Sequence, residues 1–222
     1  MKFRALLGGF LILSSVAHGD LVLVQRVEGA GQSGEQIIRV KGDQGRCDVG
    51  TAISLIVDRK NGETTTLSHA QKGYVTVSPE RAKAMMEQMQ KARGPGQTPP
   101  LVPIGKFEKV GEHACEIFET GMGAVKVTYW LDRAYPDFFA ILAQLDVVES
   151  GPLSATASGL LPRSKDFPGM PIKMVMDKGG QKVTVTLVSA KAEPVDPSIF
   201  QIPPNYKEMP VAAPPSKASN AP

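Results

Sequence analysis

The feature that most constrains this chain is a two-residue rhythm that recurs along most of its length. Apolar and polar residues alternate in Leu21–Val27, Gln36–Val40, Ala52–Asp58, Thr64–Leu67 and Tyr74–Val77. The rhythm returns in Phe107–Val110, His113–Glu119, Val125–Leu131, Ile172–Met176 and Lys182–Ser189. Successive side chains of a strand point to opposite faces, so these runs predict strands with one buried and one wet face. Glycine-bearing turns at Lys60–Gly62, Gly121–Gly123 and Lys178–Gly180 sit between runs. Each is short enough to close a hairpin with a glycine at positive φ, and hairpin neighbours are antiparallel.

Two segments change to a period of 3.6. Ser78 is placed to cap a helix that begins with Pro79 and carries Glu80 at the positive end of its dipole. Ala82, Met85, Met86 and Met89 share one face of it, and Gly94 follows. A second helix starts near Pro136-Asp137 and carries Phe138, Phe139, Ile141, Leu142, Leu145 and Val148 before Gly151. Its apolar arc is wider than a surface helix needs. Both lie between runs of hairpin strands, so the residues predict a mainly β, α+β domain with helices on one face of an antiparallel sheet.

The beginning of the chain points to export. Lys2 and Arg4 precede an apolar run from Ala5 to Val16, and Ala17-His18-Gly19 places small residues at the −3 and −1 positions of a cut before Asp20. This is the signal-peptide pattern, and the run is shorter than a membrane span. No cysteine follows it to accept a lipid anchor. Residues 1–19 are therefore read as a signal peptide and 20–209 as one domain in the periplasm or outside the cell, with no stable membrane insertion after cleavage. The stretch 210–222, rich in Pro, Ala and Ser, is read as a disordered tail. Without Lys2 and Arg4 the chain keeps 23 basic against 22 acidic side chains, which does not fit a nucleic-acid partner.

Chemistry-bearing motifs are sparse. His69 and His113 stand in no metal-ligand spacing, and no G-x-S-x-G elbow occurs. Gly121–Lys126 lacks the Lys-Ser/Thr pair and the strand-to-helix setting of a phosphate loop. Glu116 and Glu119, three apart on a strand, face opposite sides. The sequence thus calls for no enzyme, no metal and no cofactor. Cys47 and Cys115, in an oxidising compartment, are expected to form a disulfide; a metal role lacks partner ligands. The Met and Phe stripes admit two readings: ordinary core packing on the sheet, or the walls of an incompletely filled interior shared with Trp130.

Several motifs also carry a family resemblance. Lys41–Asp48, Ile53–Asp58 and Gly73-Tyr74, then Gly111–Phe118 with its Gly-x-x-Cys strand, Thr128–Leu131 with its Trp, and Val195–Tyr206 occur in an order similar to that of an uncharacterised family of exported bacterial domains. Members of that family resemble the LolA/LolB-like lipoprotein-carrier fold. The resemblance implies a half-open antiparallel β-barrel closed on one face by two α-helices, with an apolar interior. By analogy, the expected function is a periplasmic binding or carrier protein for a lipid, a lipoprotein acyl chain or another apolar ligand. Met85, Met86, Met89, Trp130, Phe138, Phe139 and Leu142 are the cavity candidates. Arg46 and Tyr74 are read as structural pairing residues, with rim contacts as the alternative. The rival readings are a non-catalytic interaction module of the cell envelope and an unrecognised hydrolase or thiol enzyme.

Overall fold

In the computed structural model of the chain, residues 19–29, 31–93, 99–151 and 161–210 are described. Residues 1–18 of the expected leader (1–19), residues 211–222 of the expected tail (210–222) and the side chains of Met86 and Met89 lie outside them. Each alternating run forms a strand: β1 (Leu21–Gly29), β2 (Gln32–Lys41), β3 (Gln44–Val49), β4 (Ile53–Asp58), β5 (Glu63–Ser68) and β6 (Gly73–Val77) precede α1 (Pro79–Arg93). Then come β7 (Val102–Val110), β8 (His113–Met122), β9 (Val125–Asp132), α2 (Phe138–Glu149), β10 (Met170–Lys178), β11 (Gln181–Ala192) and the two-residue β12 (Lys207–Glu208). β3 and β12 are additions to the expected set. The inward positions of β3 are Gly45 and Cys47, too small to show as an apolar rhythm.

The strands form one open sheet in the order β12-β6-β5-β4-β3-β2-β1-β11-β10-β9-β8-β7. Every pairing is antiparallel except β12 with β6. Two meanders, β1–β6 and β7–β11, join where β1 pairs with β11. α2 touches β2, β3 and β4 on one side and β10 on the other. β4 and β10 are five places apart in the order, about 24 Å on a flat sheet at ordinary strand spacing. A helix of this length spans only about 18 Å, so the sheet curves toward it. Gly45 lets the helix seat: a Cβ there would lie 2.7 Å from Val148 Cγ2 and 3.3 Å from Val147 Cγ1.

The inner face, under α2, holds the larger core, with Leu21, Leu23, Val40, Val127, Leu131 and Ile172 fully buried. The outer face of the first meander is covered differently. After β11 the chain doubles back as a strap over the outer side. Val195 N–H donates to Asp20 (2.9 Å), Val195 and Phe200 pack on Ile56 and Leu67, and β12 lies along edge strand β6. Met209 N–H donates to Tyr74 O (2.7 Å). Its sulfur occupies the space a Cβ on Gly73 would need.

A polar pin fastens this strap. Asp48 accepts from Arg39 Nη1 (2.5 Å), Arg46 Nε (2.7 Å) and the Ser54 hydroxyl (2.5 Å). Arg46 also donates to Ser54 Oγ (2.9 Å) and to the strap carbonyl of Ile199 (2.6 Å). His69 Nε2 lies 2.7 Å from Ser54 Oγ, and its Nδ1 lies 2.6 Å from the Tyr206 hydroxyl. Since Ser54 gives its proton to Asp48, Nε2 is the donor to Ser54. The Ser54–His69 approach thus resembles a nucleophile–base pair in distance only: the histidine already carries the proton, and Ser54 has no exposed surface. Arg46 takes its expected structural part.

Burial alone would push the Asp48 carboxyl up, but the bonds from Ser54 and Arg46 and the charges of both arginines outweigh it and hold its pKa below the usual range. Asp48 therefore contributes stability that is whole above the unfolded value of about 4 and is lost as pH falls through the lower folded value. Arg46→Met leaves Asp48 short of donors and is expected to cost about 3 kcal/mol in urea unfolding. Tyr206→Phe removes one neutral bond and should cost about 1 kcal/mol. Equal stability of Arg46→Met and the parent chain would contradict the pin.

Candidate functional site

Between the inner face and α2 the core is not filled. A half-open cavity of about 340 Å³ remains, at the lower end of the size range of small-molecule sites. Leu23 and Gln25 of β1, Gln36 and Ile38 of β2, and Val185 and Leu187 of β11 form its floor. Leu142, Leu145 and Val148 of α2, spaced three apart on one helical stripe, form its lid. Tyr129, Phe167, Met170 and Met174 close the far wall. A bulge in the β1–β11 pairing shapes the floor: Val24 faces Ser189 and Gln25 faces Leu187, so Val188 is the extra residue and is exposed. The bulge shifts the parity of β11, so Val185 and Leu187 line this cavity while Ala190 and Ala192 line a second hollow. That second hollow, of about 580 Å³, lies beside Gly19–Leu21 and the first turns of α2. Its walls combine Leu21, Tyr135, Ile141 and three alanines with the polar Asp20, Asp137 and Gln144.

Polar groups in the apolar cavity are few. Gln25 and Gln36 face each other across β1 and β2. Gln36 donates its amide to Cys47 Sγ (3.1 Å). On the lid, Glu149 accepts from Ser164 N–H (3.0 Å) and from the Ser164 hydroxyl. Burial pushes the Glu149 pKa up, against the pull of the two Ser164 bonds, with Asp146 adding to the rise and Arg163 opposing it. Burial, aided by the Glu149 charge, also pushes the Tyr129 phenol well up.

Of the residues expected to line a cavity, the structure places Leu142 in its wall. Phe138 is buried in the adjoining core. Phe139, stacked on it at 4.0 Å, sits about 100° farther round the helix and is 71% exposed. Trp130 turns to the other face of the sheet, because its neighbours Tyr129 and Leu131 both point inward. There its indole donates to Glu108 (2.8 Å) beneath the Lys173 ammonium. Met85 is half-buried on α1, which supplies no wall among the described residues. The floor residues were hidden in plain alternation. The signal that could have marked the site is Gln25 and Gln36, polar residues on the same strand parity as Leu21, Leu23, Ile38 and Val40.

The expected disulfide is not formed. Cys47 and Cys115 are free, buried thiols on β3 and β8, six places apart in the strand order. Burial raises both pKa values; that of Cys115 is pushed up to about 11, helped by the charge of Asp132. Among the described residues no group of His, Cys, Asp and Glu has the arrangement to hold a metal ion.

Compared with known sequences, residues 30–206 match the family described as Domain of unknown function (DUF4412). The chain belongs to that family. No curated protein matches this DUF4412 chain. Among solved structures it is similar to PNGF-II (12% identity, TM-score 0.41, covering 86% of this chain and 31% of that one). It is also similar to lipoprotein LppX of Mycobacterium tuberculosis (12% identity, TM-score 0.37, 81% and 90% covered). A third is MucB in its complex with MucA, from Pseudomonas aeruginosa (11% identity, TM-score 0.37, 89% and 62% covered). The chain spans less than a third of PNGF-II. Likenesses this distant carry no argument about activity or ligand.

The thiol assignment has a direct check. Without reductant, the folded protein should resist a thiol reagent and the denatured protein should take up two equivalents; none after denaturation would restore the bridge.

Proposed function

We propose that this domain is a binding module of the bacterial envelope that shelters an apolar ligand, or the apolar part of one, between the curved sheet and α2. On this reading the sheet acts as a half-open barrel, exported by its leader to the periplasm or beyond, and works without catalysis. The observation that carries it is the cavity of about 340 Å³, walled by Leu, Ile, Val, Met and Phe side chains that would otherwise close on one another. Each methylene of a ligand moved there from water gains about 0.8 kcal/mol. A lipid or acyl chain fits, because its length can be matched to the trough without asking for many polar partners.

One observation favours a second use. Among the described residues β7 ends the sheet as an unpaired edge, and Phe107 (76%) and Val102 (49%) stand exposed on it. An envelope partner adding a strand there would cover them.

Native mass spectrometry of the protein taken from its own envelope tests the first reading. A reproducible added mass is expected, and Leu142→Trp, which fills the trough with protein, should lose it while keeping the cooperative unfolding of the parent. Bare protein in the parent chain would contradict the ligand-binding reading and leave the edge-strand module.

A further inference from the structure

Buried polar groups are nearly always hydrogen-bonded, and the cavity holds one that is not. Tyr129, on β9 between Phe118 of β8 and Met174 of β10, is only 3% exposed. Its ring lies 5.0 Å from that of Phe167, tilted by 54°. Among the described residues its hydroxyl has no hydrogen-bond partner. Nor is that oxygen one of the atoms sealed away from all open space, as Thr64 Oγ1 is. It therefore borders a space, and the space that Tyr129 lines is the cavity.

The hydroxyl is a donor in want of an acceptor. Burial and the charge of Glu149 push its pKa up, so the proton stays on the oxygen. Around it on the far wall stand Phe167, Met170 and Met174, which offer ring faces and thioethers. The two oxygens of Glu149 are each engaged with Ser164. A ligand hydroxyl placed here could accept from Tyr129, but its own proton would meet only weak acceptors. A carbonyl oxygen accepts and brings no proton of its own. It is the group that completes this wall and leaves nothing unpaired.

We infer that the cavity takes an apolar molecule that carries a carbonyl group, such as a fatty ester or ketone, and that the Tyr129 hydroxyl donates to its oxygen. The inference rests on the ligand-binding reading above and names its ligand class. Tyr129 stands at the far wall, so the hydrocarbon part runs from there across β10, β11 and β1, beneath Leu142 and Leu145.

The test is Tyr129→Phe, which keeps the ring and deletes the donor, titrated calorimetrically with 2-nonanone beside the parent protein. The variant should bind the ketone about twofold to tenfold more weakly, the scale of one neutral hydrogen bond. Its unfolding midpoint should match or exceed that of the parent, because no bond within the protein is lost. Infrared spectra of carbonyl-labelled 2-nonanone should show the C=O band lowered in the parent and returned toward its position in alkane in the variant. The parent should bind 2-nonanol more weakly than the ketone. Equal ketone affinity in the two proteins, a band that the variant does not move, a variant clearly less stable than the parent, or an alcohol bound as tightly as the ketone overturns the role of Tyr129 and leaves the ligand-binding reading standing. A parent protein that binds neither compound removes both.

Discussion

A curved sheet with an apolar inner face has to be shielded by something, and here most of the shielding falls to one short helix. α2 reaches from β4 to β10, yet at about 18 Å it is shorter than the inner face it covers. Its own sequence answers with apolar residues on nearly every side, and Gly45 answers with a missing side chain that lets Val147 and Val148 settle against β3. Away from the cavity the inner core is solid, with Val40, Val127 and Leu131 nearly without exposed surface. Toward Gln25, Gln36 and Tyr129 the two layers part. The cavity is the gap left by a helix too small for its sheet.

The outer face solves the opposite problem. Strands β1–β5 there would expose Ile56 and Leu67 to water, and the strap from Glu193 to Met209 covers them. The strap packs Val195, Ile199, Phe200 and Tyr206 on them, and polar contacts fix its position: Arg46 to the Ile199 carbonyl, His69 to Tyr206, and Asp20 to Val195. Because the strap leaves the middle strand β11 and ends on the edge strand β6, it ties the two across the sheet. The same strap supplies β12, which covers one sheet edge, while no described residue pairs with β7 at the other.

The strands were legible because alternation is a direct image of a half-buried sheet, and the hairpin turns were legible in glycines such as Gly62, Gly123 and Gly179, all at positive φ. α2 was legible from its apolar length. β3 was hidden, since Gly45 and Cys47 are buried for being small rather than greasy. The strap was visible only as a run of motif residues; that Arg46, Asp48 and Tyr206 meet in one network depends on pairings many residues apart, which no local pattern encodes. The cavity residues were misplaced for a related reason. Helix stripes and a lone Trp draw the eye, whereas Trp130 spends its ring on the outer face with Glu108 and Lys173, and the floor is built from ordinary strand leucines, isoleucine and valines. The cysteines misled because compartment says only that a bridge is permitted, and the strand order separates the two thiols.

The account stands on a space between the sheet and α2 that the protein does not fill. Diffraction from crystals of the ligand-stripped protein under xenon pressure measures that space directly, since xenon enters dry apolar cavities and leaves well-packed cores alone. Xenon density bounded by Leu23, Ile38, Leu142 and Met170 is the predicted result. Crystals that take up no xenon there, with α2 packed flush against β1 and β2, would contradict it.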